Sequence, residues 1–395
     1  MGNRFDKKRL EYLDILLKKT IEEGHLLGCS FALYDKDMRV MEGAYGSDKL
    51  DSVYKIYSMT KPITAVAALT LFEKGLIDIY DPVYLYLPKY KDVKVASGEG
   101  MDETLTDSKR PILIKDLFNM TSGLMYPGEG SYAEKCMIDI QKDLYKRATG
   151  GEKFSNIDII NEFTKAPLRF SPGEKWKYGT SADVLAGIVE VVTGVTYGKW
   201  LKENIFDPLD MKDTGFLVDI KNKDRLATMY YRDDVTGKLR KTTHDEDVFL
   251  NEYAPFDPPY IESGGGGLYS TLEDYSHFAL MLQNGGIYNG HRILSENTVK
   301  YLRSNQLSDE QLKTIDFESI KGYGYGNYMR VLIDPLVAGC NCEPGEYGWD
   351  GLPGTYFFID PVQNVTFVFM QQLAQGGDDS LRRRMKQIIY GALDA

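Results

Sequence analysis

Tyr57-Ser58-Met59-Thr60-Lys61-Pro62 sets a hydroxyl and an amine three residues apart, where an extended segment gives way to a helix. Upstream, Val53-Tyr54-Lys55-Ile56-Tyr57 is β-branched and aromatic, the composition of a strand. Downstream, the Ala/Leu-rich run from Thr64 to Lys74 stops at Gly75, so the pattern predicts one buried helix over residues 58–74. Pro62 fits only near the start of that helix, where a proline costs no intrahelical hydrogen bond. Ser58 is thereby placed at the helix N-terminus, with Lys61 on the same face and the first backbone N–H groups pointing outward. A serine with a base beside it and N–H donors around it is what nucleophilic acyl transfer requires.

The pattern alone does not decide the matter. Ser-x-x-Lys arises by chance in a chain of 395 residues, and an N-cap serine followed by a solvated lysine reads the same. Ser52-Val53-Tyr54-Lys55 matches as well, but in a strand positions i and i+3 point to opposite faces, so that pair is discarded.

The remaining composition narrows the function classes. With 43% hydrophobic and 27% charged residues the chain is an ordinary globular one, long enough for one large domain or two interleaved subdomains. A net charge of −11, without any cluster of basic and aromatic residues, repels a polyanion and excludes nucleic acid as the expected partner. The N-terminus is charged and leads into an amphipathic helix (Leu10, Leu13, Leu16, Leu17, Ile21) in place of an apolar signal core. No apolar run approaches the length of a membrane span, so a cytoplasmic protein that does not enter membranes is expected. Cys29, Cys136, Cys340 and Cys342 share no ligand spacing with His25, His244, His277 or His291, so neither a metal nor a cofactor is expected. Cys340-Asn341-Cys342 reads as free thiols in a loop.

Taken in order, residues 28–34 and 39–45 read as a β-hairpin ahead of the Ser58 helix. From about residue 86 the texture becomes helical, with a short helix over 112–120 and helical periodicity over 131–165 and 181–206. Strand-like texture resumes near 225, His244-Asp245-Glu246-Asp247 reads as a solvated loop, and a helix is expected over 272–284. Ser263 to Thr271 contains four consecutive glycines, but no Gly-Lys-Ser/Thr follows, so close backbone packing near a cleft is favoured over a phosphate cradle. Residues 322–331, 354–360 and 365–370 read as strands, followed by a last helix over 380–393. The fold class is therefore α+β: an antiparallel sheet flanked by helices, formed by 1–85 plus 216–395, with a mostly helical subdomain inserted at 86–215 and the site between them.

A nucleophilic serine needs a second proton-handling group and a second oxyanion donor. Two further stretches offer them. Ser171-Pro172-Gly173 is a turn that presents Tyr178 immediately before a helix, and Tyr347-Gly348-Trp349-Asp350-Gly351-Leu352-Pro353-Gly354-Thr355 is a glycine-rich strand edge. Together with Asp81-Pro82, Thr121-Ser122-Gly123-Leu124 and the 263–271 run, these resemble, across nearly the whole chain, the serine β-lactamase and penicillin-binding superfamily, specifically its class C-like branch with the family VIII carboxylesterases.

The resemblance implies that Ser58 is acylated, that Lys61 and Tyr178 exchange its proton, and that the Ser58 and Leu352 amides hold the oxyanion. It implies a carboxylesterase or acyltransferase acting on small to medium acyl esters. The alternatives are a β-lactamase or D-amino-acid peptidase or amidase and, of another class, an inactive ligand-binding relative. Two departures bear on substrate. Trp349-Asp350-Gly351 stands where penicillin-recognising members carry Lys-Thr-Gly, and Thr180 stands where Tyr-x-Asn members carry the asparagine. Trp349 is expected to wall the acyl or alcohol pocket, with tyrosines from the polar insertions contributing, and Asp350, Gly351 and Thr180 are expected beside it at the substrate. Asp350 is expected either to attract an amine or hydroxyl or to be satisfied by backbone amides. A literal Tyr-x-Asn at Tyr325-Gly326-Asn327 lies in a strand-like run, so Tyr178 is preferred.

Overall fold

The structure is a computed structural model that describes residues 4–96, 104–233, 235–242, 259 and 261–393. The expected loop at His244-Asp245-Glu246-Asp247 lies outside the described residues. Helix α1 (Lys7–Glu22) is capped by Asp6, whose carboxylate accepts from the Lys8 and Arg9 amides. Strands β1 (Gly28–Asp35) and β2 (Met38–Gly46) form the expected hairpin. β3 (Val53–Lys55) leads through a 3-10 turn, Tyr57–Met59, into α2 (Thr60–Glu73). The helical stretch follows, with α3 (Tyr132–Thr149), α4 (Asn156–Glu162) and α5 (Ser181–Thr193). β4 (Tyr269–Thr271), α6 (Leu272–Gln283), β5 (Tyr323–Gly326), β6 (Met329–Leu332), β7 (Tyr347–Asp350), β8 (Tyr356–Asp360), β9 (Val365–Met370) and α7 (Asp379–Gly391) complete the frame.

The seven-stranded sheet runs in the order β5-β6-β7-β8-β9-β1-β2, with antiparallel neighbours throughout. Its middle joins the two ends of the sequence, Ser30 lying opposite Met370 and Asp35 opposite Val365. Alternate residues serve two cores, as the period of a strand requires. Phe31 and Leu33 of β1 and Phe367 and Phe369 of β9 pack with Leu13 and Leu17 of α1 and Met385 and Ile389 of α7. Ala32, Val368 and Phe357 face the other way, into the cluster that holds α6, α2 and α5. With both faces covered the central strands are buried throughout, so they read as continuous apolar runs.

Two expectations are corrected. Residues 322–331 are not one strand but a hairpin, because Asn327 and Tyr328 adopt φ of 51° and 64°, the left-handed pair of a tight two-residue turn. The strand texture near 225 resolves into Tyr230–Arg232 and Leu239–Lys241, a separate two-stranded ribbon. Among the described residues no single helix is long and apolar enough to cross a membrane.

Candidate active site

The chain at the start of α2 explains why Ser58 is presented. Tyr57 holds a left-handed φ of 42°, an unfavourable conformation for a side chain of its size, and Ser58 follows as the second residue of the 3-10 turn. The first hydrogen bond of the turn runs from Met59 N–H to Ile56 O, so among the described residues the Ser58 N–H donates to no backbone carbonyl. The helix expected to begin at Ser58 begins as α-helix at Thr60 instead, and Pro62 remains within its first turn. α2 is buried from Thr60 to Leu71, a helix with a core on every side.

Burial carries Lys61 inside with it. Its Nζ lies 3.0 Å from Ser58 Oγ, 3.0 Å from the Tyr126 hydroxyl and 2.6 Å from the Gly265 carbonyl. Desolvation drops the amine to about 7, and the neighbouring carboxylate of Asp183 opposes that fall. At neutral pH a substantial fraction is therefore the free amine, able to accept the Ser58 proton.

The Tyr178 hydroxyl shares a hydrogen bond with Ser58 and accepts a second, 3.1 Å long, from Trp349 Nε1. Burial pushes its pKa upward, against the pull of both hydrogen bonds, so the phenol stays protonated. The Lys61 amine also sits 4.5 Å from the Tyr178 ring centroid, a cation–π position whenever it is charged. Ser58, Lys61 and Tyr178, chosen from the sequence, are thus brought together.

Close packing of backbones holds these arms in place. A Cβ on Gly179 would lie 1.9 Å from the Leu124 carbonyl, so only glycine lets the Tyr178 segment lie against the segment that carries Tyr126. A Cβ on Gly351 would meet the Ile56 carbonyl at 2.3 Å, so the turn after β7 abuts the Ser58 turn for the same reason. In that turn Gly351 donates to Thr355 and Gly354 to Gly351, and among the described residues the Leu352 amide donates to no backbone carbonyl. Leu352 is half-exposed there.

Two functional groups were missed in the sequence. Tyr126 reaches Lys61 from the loop after Thr121-Ser122-Gly123-Leu124, and no spacing rule links it to Ser58. Asp183, on the first turn of α5, is buried and accepts from the Ser263 hydroxyl and the Gly265 amide, fixing the carbonyl that receives the lysine. The clue was the pairing of β3 with β4, reinforced by Ile56 N–H to Leu268 O at 3.1 Å, which returns the four-glycine run to the nucleophile. That run does pack closely: a Cβ on Gly265 would lie 2.7 Å from the Tyr126 hydroxyl.

The third motif behaves differently from expectation. Trp349 is 3% exposed and lies between Tyr178 and Tyr325, so it orients the phenol and offers no open wall. The Asp350 carboxylate rests on two guanidinium groups and not on backbone amides. Strand alternation turns it away from Trp349's side, where it accepts from Arg330 at 2.8 Å and Arg382 at 2.9 Å. Thr180 is buried with its hydroxyl unpartnered among the described residues. It borders a cavity of about 90 Å³ whose apolar walls include Met137, Leu144, Ile159 and Phe163. Tyr325 is a buried sheet residue stacked edge-on to Trp176 and Trp349, so the literal Tyr-x-Asn is structural. Among the described residues no cluster of His, Cys, Asp and Glu has the geometry to hold a metal ion.

The chain is 32% identical over 330 residues to protein Rv1367c of Mycobacterium tuberculosis, covering 82% of this chain and 78% of that protein. It is 27% identical to esterase EstB of Burkholderia gladioli, covering 86% and 82%. Among solved structures, EstCE1, described as a hydrolase with promiscuous acyltransferase activity, superposes with a TM-score of 0.78 at 20% identity, over 97% of this chain and 98% of that one. At that identity the likeness concerns the fold alone. The beta-lactamase family model matches residues 13–390, and with Ser58, Lys61 and Tyr178 gathered at one point of that fold, the chain belongs to the beta-lactamase family.

Proposed function

We propose that this protein is a serine hydrolase that forms an acyl-enzyme on Ser58 and acts on carboxylic esters of small to medium acyl groups, with transfer to a second alcohol as the other fate of the acyl group. The observation that carries the reading is the buried Lys61 amine, brought to about 7 and 3.0 Å from Ser58 Oγ. Neutral Lys61 takes the serine proton as Oγ attacks the carbonyl carbon, and the Ser58 and Leu352 amides receive the oxyanion. When the tetrahedral adduct collapses, Tyr178, hydrogen-bonded to Ser58, gives its proton to the leaving alkoxide, and the proton held on Lys61 restores the balance. Water or a second alcohol then enters, and the same groups run in reverse.

The substrate class follows from the third motif and from the relatives. No lysine stands at 349–351, and the carboxylate of Asp350 is already paired, so that strand supplies no cation for the carboxylate of a penicillin-like substrate. The relative EstB is an esterase, and EstCE1, which shares the fold, is a hydrolase with promiscuous acyltransferase activity. The test is hydrolysis of p-nitrophenyl butyrate by the parent protein and by Ser58→Ala. The variant is expected to lose all but a residual rate, and parent-level turnover by Ser58→Ala, or nitrocefin hydrolysis outpacing ester hydrolysis in the parent, contradicts the reading.

A further inference from the structure

Cys340-Asn341-Cys342 lies outside the catalytic group, on the connection between the one-turn helix Pro335–Ala338 and β7. Gly339, in the left-handed region at φ 67°, ends that helix, and the chain bends at Asn341 and Cys342. The bend keeps the two side chains near enough for their thiols to interact. A disulfide needs a Cα separation of about 4.4–6.8 Å, and residues two apart span at most about 7 Å, so a bent Cys-x-Cys segment meets the requirement without moving its ends.

The surroundings distinguish the two sulfurs. Cys340 borders an open cavity of about 370 Å³, so solvent-borne oxidants reach it; of the cations around it Arg330 and Arg382 are paired with Asp350 and Lys386 with Glu346. Its Sγ is 3.7 Å from the Tyr323 hydroxyl, which in turn accepts from Lys386 Nζ at 2.8 Å. Interaction between the two thiols, helped by the nearby Lys386 ammonium and opposed by burial and the Glu346 carboxylate, lets the pair share one thiolate and favours it on Cys340. Cys340 thus faces the cavity, whereas Cys342 does not border it and packs against the hydrophobic cores behind. Cys29 is fully buried in the core that packs against α1 and α7, its thiol pushed up by burial.

We propose that Cys340 and Cys342 form a reversible redox site in which a peroxide oxidises Cys340 and Cys342 resolves it to an intramolecular disulfide. The Cys340 thiolate attacks one peroxide oxygen, an S–O bond forms, the O–O bond breaks, and the expelled hydroxide leaves as water after taking a proton from solvent. Cys342 then attacks the sulfenic sulfur, the S–S bond forms, the S–O bond breaks, and the departing hydroxide takes the Cys342 proton. The dithiol has lost two electrons, the peroxide has become two waters, and an external dithiol reverses the change by exchange.

The test is intact-mass and peptide analysis of the full-length protein after stoichiometric hydrogen peroxide. The parent is expected to lose two hydrogens and two titratable thiols, with the bond mapped to 340 and 342 and reversed by dithiothreitol. Cys342→Ser is expected to trap the sulfenic acid as a dimedone adduct on Cys340, and Cys340→Ser to give no adduct at 342 under the same dose. The proposal is overturned if the parent keeps all its thiols, if the disulfide involves Cys29 or Cys136, or if dimedone labels Cys342 in Cys340→Ser and not Cys340 in Cys342→Ser.

Discussion

Lys61 concentrates the chemistry because burial and three acceptors act on it in opposite directions. The ammonium donates to Ser58, Tyr126 and Gly265, and desolvation still wins, which is why the amine lies near 7. Burial disfavours the charged form, so the fraction of free amine grows as pH rises through about 7, and kcat/KM for an ester is expected to climb across that interval and level off above it. Tyr126→Phe removes an acceptor that favours the ammonium. The midpoint of that pH profile is then expected to fall by about one unit, with the ring packing retained. Trp349→Phe removes the donor that orients Tyr178, and kcat is expected to drop about tenfold with KM nearly unchanged, the worth of one hydrogen bond felt mainly in the transition state. Ser58 and Lys61 were legible because their spacing is local. Tyr126 and Asp183 were not, because each reaches the lysine through a loop whose position is set by contacts far away in sequence.

At the scale of elements, β7 shows how a strand sorts chemistry from support. Trp349 points toward the site and Asp350 away from it, into two guanidinium groups, and Arg330 is itself buried. The residues were correctly singled out as a third motif, but the faces were not assigned, since a four-residue strand flanked by glycines gives little alternation to read. Asp350→Ala leaves Arg330 without its charge partner, and a loss of about 3 kcal/mol is expected in urea unfolding, with the relative rates on ester and amide substrates unchanged. Gly179→Ala tests the approach of the two tyrosine-bearing segments. Its Cβ has no room beside the Leu124 carbonyl, so the thermal midpoint is expected to fall, by about 1–3 kcal/mol of stability, and ester turnover to fall with it. The hairpin at 322–331 was missed for a related reason: Asn327-Tyr328 is a turn without the glycine that usually announces one.

Over the whole molecule, the α+β class was legible because its signals are long: an amphipathic first helix, a hairpin, an all-apolar α2 and the aromatic strands near the C-terminus. What the pattern did not reveal is the order of the sheet, in which β9 from one end of the chain pairs with β1 from the other. That closure lays α6 on the sheet and α2 behind it, and it lets the β3–β4 pair carry Gly265 to Lys61. The site is therefore assembled from Ser58, Lys61, Gly265 and Trp349 in the outer blocks of the sequence and from Tyr126, Tyr178 and Asp183 in the stretch between. The central claim is that these parts make Ser58 a nucleophile. Its most direct test is intact-mass detection of the covalent adduct after brief exposure to a p-nitrophenyl ester or a fluorophosphonate, followed by peptide mapping. One acyl or phosphonyl group on Ser58, absent from Ser58→Ala and strongly slowed in Lys61→Ala, is the expected result; an adduct on any other residue, or ester turnover with Ser58 unmodified and dispensable, would contradict it.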